Sequence, residues 1–97
     1  MANAIIGLCT IELYLPGMAS LKEKRGVLKP VQARLRKTFN VSVAEVDHHD
    51  VWRTAVIAVV TVCNSTAHAD QIITQILKWL ETTYPNIQIV SEEIEIL

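Results

Sequence analysis

From Arg53 to Cys63 the chain carries β-branched and apolar residues at both alternating sets of positions. A run of that kind buries both of its faces, which predicts a central strand. Earlier in the chain, Ala4 to Leu15 places Ile5, Gly7, Cys9, Ile11, Leu13 and Leu15 on one side and Ile6, Leu8, Thr10, Glu12 and Tyr14 on the other. This predicts a long strand with one wholly apolar face. Pro16-Gly17 ends it, because proline removes a ladder donor and glycine permits the turn. Val41 to Asp47 predicts a further strand, joined to the Arg53 strand through the polar connection His48-His49-Asp50. The last strand comes from Ile87–Val90 and Ile94–Leu97, with Ser91-Glu92-Glu93 expected to bend or split it.

Two segments carry helical periodicity instead. Ser20, three residues before Glu23, offers reciprocal caps for a helix that begins near Leu21. At about 100° per residue, Leu21, Val27, Leu28, Val31, Leu35 and Phe39 gather on one side of it. Pro30 has no amide donor and presses on the Gly26 carbonyl, so a kink is expected there; the alternative is a break, with a shorter helix starting at Pro30. After the capping run Asn64-Ser65-Thr66, the residues Ala69, Ile72, Ile73, Ile76 and Leu80 recur at helical spacing until Tyr84-Pro85-Asn86. The resulting order, β-α-β-β-α-β, closes most simply as an α+β ferredoxin-like fold: a four-stranded antiparallel sheet with both helices on one face. Right-handed crossovers put the first and third strands in the centre.

The 97 residues are enough for a single domain, residues 1–97, and 51% hydrophobic with 20% charged residues excludes disorder. The longest unbroken apolar stretch, Ala55 to Val60, is far short of the roughly 18–20 residues a membrane-crossing helix needs. Met1-Ala2-Asn3 lacks the basic head of a signal peptide, so no membrane partner and a cytoplasmic location are expected. Cys9 and Cys63 sit in strand-like runs with no zinc or redox spacing, and predict small buried hydrophobes.

The blocks Ser20-Leu21-Lys22-Glu23-Lys24-Arg25, Phe39-Asn40-Val41-Ser42-Val43-Ala44-Glu45-Val46 and Asp50-Val51-Trp52 resemble the YlxP-like family of small bacterial proteins, a domain of unknown function. The resemblance spans nearly the whole chain and implies a ferredoxin-like fold. It implies no activity. Members of that family are often encoded beside transcription and translation-initiation factors, which implies a connection to RNA or the ribosome by association alone.

Charge is unevenly placed. Seven of the nine Lys and Arg residues lie between Lys22 and Lys37 against one acid, so this segment carries +6 while the remainder sums to −7. On a helical wheel Lys22, Arg25, Lys29, Arg36 and Lys37 fall within about 60° of one direction, opposite the apolar stripe. That layout suits a phosphate backbone, and these five are the candidate nucleic-acid-binding residues, with RNA or the ribosome as partner. The competing reading is a solvated face that only keeps a packed helix soluble. A base-reading sheet is not expected, since Tyr14 is the sole aromatic in the first and third strands.

The sheet face away from the helices would present Ile6 and Leu8 beside one apolar set of the third strand, either Ala55, Ile57 and Val59 or Val56, Ala58, Val60 and Val62. A patch of that character marks a partner surface, and two copies can cover each other. Ile6, Leu8, Ile57 and Val59 are the candidate dimer residues, and a homodimeric scaffold or small-ligand module built on this face is the chief alternative to RNA binding. Asp47, His48, His49 and Asp50 carry metal-ligand chemistry, but adjacent histidines in extended chain diverge, and a polar turn closed by Asp50 is expected instead of a metal site. Trp52 is expected to anchor this hairpin, and His68 to lie on the surface. Ser20 and Ser65 occupy caps, and the three glycines fit no phosphate or dinucleotide loop. No catalytic residue, metal or cofactor is assigned, and a small enzyme is the third-ranked reading.

Overall fold

β1 (Ile5–Tyr14) and β3 (Thr54–Cys63) lie side by side in the middle of one antiparallel sheet, with β2 (Ser42–Asp47) outside β3 and β4 (Gln88–Ile96) outside β1. Helices α1 (Leu21–Thr38) and α2 (Thr66–Thr83) complete the β-α-β-β-α-β order of a ferredoxin-like α+β fold. The computed structural model describes residues 3–97; Met1 and Ala2, which open the stretch read as lacking a leader, lie outside the described residues. Among the described residues no helix is long and apolar enough to cross a membrane.

The register decides which face each residue takes. Cys9 is opposite Val59, Ile11 opposite Ile57 and Leu13 opposite Ala55, and all six are buried. Directly paired residues share a face and successive residues alternate, so this set faces the helices. It meets Leu28, Val31 and Leu35 of α1 and Ala69, Ile73, Ile76 and Leu80 of α2 in one core. Each fully buried branched or aromatic side chain there contributes about 1.5–3 kcal/mol. Ile57 and Val59 therefore do not lie on the open sheet face, where they were expected to join Ile6 and Leu8. The set that does is Val56, Ala58, Val60 and Val62, with Leu8 opposite Val60 and Ile6 opposite Val62.

Gly7 lets α2 approach β1 closely. A Cβ there would stand 3.1 Å from Ile73 Cδ1 and 3.2 Å from Thr61 Cγ2, tighter than side chains normally pack. β4 is one strand and is not split at Ser91-Glu92-Glu93. The pairing steps from Glu12–Ser91 to Leu13–Ile89, which leaves Val90 as an extra residue in a bulge.

α1 begins as its sequence predicts, with Ser20 Oγ accepting from the Glu23 amide and Glu23 Oε2 accepting from the Ala19 amide. It then runs unbroken through Pro30, so the alternative of a break, with a shorter helix starting there, fails. Both Gly26 and Pro30 are exposed, so water can satisfy the Gly26 carbonyl that loses its amide partner. Nothing lies within 4 Å of a Cβ built on Gly26. Gly26→Ala is accordingly expected to stabilise the fold by about 0.5–1 kcal/mol, read as a raised urea midpoint with an unchanged slope.

Candidate nucleic-acid interface

About five turns of α1 set the direction of every side chain on it. Lys24, Leu28, Val31 and Leu35 turn inward, while Lys22, Arg25, Lys29, Arg36 and Lys37 are exposed on the opposite side. The structure thus brings the five predicted cations together along one ridge. None of them pairs with a carboxylate; the ion pair found among the described residues is Lys24 with Glu45. Arg36 spends one edge of its guanidinium on the Val43 carbonyl, with Nη2 donating at 2.8 Å, which fixes its stem against β2. Arg34 lies off the ridge, its guanidinium 5.8 Å from the Trp79 ring centroid and 5.5 Å from that of Tyr84, with Nη1 donating to the Tyr84 hydroxyl.

Lys24 was not singled out in the sequence, although at about 100° per residue it falls between Leu28 and Val31 in the apolar stripe. Only 1% of its surface is exposed. Its Nζ donates to the His48 carbonyl at 2.6 Å and the Val51 carbonyl at 2.8 Å, and lies 2.9 Å from Glu45 Oε2. Oε2 has no hydrogen-bonding partner of its own, so the contact with Nζ is an ion pair without hydrogen-bond alignment. The β2–β3 connection is thereby tied to the first turns of α1.

Within that connection His48 adopts φ +60° and the Val51 amide closes the turn on the His48 carbonyl at 3.0 Å, while it is Asp47, not Asp50, whose carboxylate bonds the turn backbone, accepting from the His48 amide at 2.7 Å. The two histidines diverge: His48 Nδ1 bonds with Thr54 Oγ1 at 3.0 Å, while His49 Nε2 donates to the Glu45 carbonyl at 3.1 Å. Among the described residues no group of three His, Cys, Asp or Glu side chains is placed to hold a metal ion. Trp52 does not anchor the hairpin, since half of its surface is exposed and Lys24 holds the loop instead.

Elsewhere, Cys9 is buried, which pushes its thiol up to about 11, with the charge of Glu92 adding to the effect. A thiol held protonated at neutral pH is a poor nucleophile. An open groove of about 500 Å³ lies between α1 and the α2–β4 turn, lined by Leu15, Met18, Val27, Pro30, Tyr84 and Ile87 among others. It has no charged side chain in its wall, and its Tyr84 hydroxyl already accepts from Arg34.

Residues 6–94 match the model of a family described as "Protein of unknown function (DUF503)". The chain belongs to that family. It is 30% identical over 84 residues to "Uncharacterized protein YlxP" of Bacillus subtilis (strain 168), a similarity covering 87% of this chain and 90% of the relative. The match with DUF503 takes in both helices, β2 and β3 whole and all but the outer ends of β1 and β4, so the Lys24 clamp and the α1 ridge lie within the family's own span.

Replacing Lys24 with Met strands the Glu45 carboxylate and two loop carbonyls, and is expected to cost about 3 kcal/mol in urea unfolding. Adding Glu45→Met should return part of that loss, because the uncompensated charge goes with it.

Proposed function

We propose that this DUF503 protein is a cytoplasmic binding protein that meets RNA, free or within the ribosome, through the exposed ridge of α1. The observation that carries this is the run of Lys22, Arg25, Lys29, Arg36 and Lys37 on one outward face, without carboxylate partners, in a chain whose formal charge is −1 overall. Surplus cations that served only solubility would be distributed among the acids, whereas these are segregated from them. The spacing along the axis from Lys22 to Lys37 is about 22 Å, long enough for several successive phosphates.

A second surface supports self-association. On the sheet face opposite the helices, Ile6 is 37% and Val62 61% exposed, and they are cross-strand partners beside Leu8–Val60. Apolar side chains so arranged favour covering by a second copy, with the two sheets packed face to face. The RNA ridge and this face lie on opposite sides of the sheet, so one protomer can use both at once.

Exchanging Lys22, Lys29 and Lys37 for Glu is expected to abolish RNA association in a gel-shift or anisotropy titration while the circular dichroism spectrum and assembly state stay unchanged. For the native protein, five phosphate contacts give a log–log salt slope of about −4 to −5 on duplex and about −3.5 on single strands. A flat salt response overturns the reading.

Leu8→Lys is expected to convert a dimer to a monomer in sedimentation velocity at micromolar concentration. A native protein that sediments as a monomer removes the self-association proposal.

A further inference from the structure

We propose that Trp52 is a stacking platform for an unpaired RNA base at the end of the α1 ridge, a role that presupposes the RNA contact proposed above. Trp52 is 50% exposed, Val51 beside it 45%, and together with Asp50 and Arg53 they line a shallow surface depression. A large apolar side chain left in water on a loose loop tip would need no explanation. This one is not on a loose tip.

Both of its chain neighbours are held. The Val51 carbonyl accepts from Lys24 Nζ at 2.8 Å, and the Val51 amide donates to the His48 carbonyl at 3.0 Å. On the other side the Arg53 carbonyl accepts from the Leu15 amide at 2.7 Å, and Arg53 Nε donates to the Met18 carbonyl at 3.3 Å. The backbone on both sides of Trp52 is therefore fixed to α1, to the turn at His48 and to the connection that leads into α1. The indole itself is left half in solvent. Rigid backbone with an exposed aromatic is the arrangement in which a base can stack without the protein losing further conformational freedom.

The α1 ridge supplies the charge that selects the ligand class, and Trp52 supplies a stacking surface at its end. The clamp places Trp52 one residue from a carbonyl that Lys24 holds, in the first turns of α1 where Lys22 and Arg25 stand exposed on the outer side. Arg53 adds a further cation next to it, and the exposed acids at this end are Asp47 at the end of β2, Asp50 of the same connection and Glu23 of α1, whose Oε2 accepts from the Ala19 amide. A phosphate backbone following the ridge towards its Lys22 end thus reaches the end of α1 at which the Trp52 loop is tethered. Stacking accepts any base, so the site favours single-stranded RNA without strong sequence preference. It also answers the lack of aromatic platforms on the central strands, because the stacking surface is on the β2–β3 connection instead of on the sheet.

The test uses the full chain, its Trp52→Ala and Trp52→Phe variants, and a short oligouridylate at low salt, followed by anisotropy and by intrinsic tryptophan fluorescence. Trp52→Ala is expected to weaken binding roughly 5- to 150-fold, with Trp52→Phe within a few-fold of native. The salt slope should be the same for all three, because stacking releases no counterions. Oligouridylate should quench fluorescence in the native chain and not in Trp52→Phe, where the remaining Trp79 is packed between Phe39 and Tyr84. Equal affinities with no quench, while charge reversal on α1 still abolishes binding, overturn the platform and leave the ridge standing. Absence of any binding by the native chain overturns both. Should Trp52→Ala unfold, the quench difference between the native chain and Trp52→Phe decides alone.

Discussion

One ammonium group organises the end of the molecule where α1, β2 and the β2–β3 connection meet. Lys24 sits almost wholly out of water, a costly place for a charge, and its Nζ is held there by two backbone carbonyls and the Glu45 carboxylate. Each partner comes from a different part of the same connection: Glu45 from β2, His48 from its left-handed turn, Val51 from the stretch that enters β3. The clamp therefore sets how α1 lies over β2, and with it the outward direction of the five exposed cations. It also fixes the backbone next to Trp52.

The partition of charge follows from the strand order. α1 packs against β2 at one edge of the sheet, and β4, with Glu92, Glu93 and Glu95, forms the other edge. The exposed cations of α1 and the three β4 carboxylates are thus separated by the width of the sheet, while Glu45, Asp47 and Asp50 stay on the α1 side. A nearly neutral molecule built this way still carries an uneven surface charge, and the RNA contact proposed for α1 rests on that unevenness.

Much of the fold was legible in the residues. The element order, the central position of β1 and β3, and both serine caps follow from periodicity and capping chemistry that act over a few residues. The exposed ridge was legible for the same reason, since wheel position needs only a helix. What escaped local reasoning depended on distant partners. The fate of Ile57 and Val59 turned on a register in which they face Ile11 and Cys9, whereas the alternation in β3 is apolar on both sides and cannot distinguish them. Lys24 was hidden by its type: a lysine within an apolar stripe reads as a misfit until Glu45, twenty-one positions on, is brought beside it. Pro30 did not end α1 because the carbonyl it orphans faces water, a fact of orientation that composition does not carry.

By itself the sequence determined which segments are strands and helices, which stripe of each is apolar, and that positive charge is concentrated in one helix, because these are properties of short-range spacing. Only the tertiary structure decided which face of β3 is covered, which lysine is buried and which are free, and that Trp52 stands exposed on a tethered loop. Each of these depends on a pairing between residues far apart in the chain. A pairing of that kind exists only once sheet register and helix placement have been fixed together.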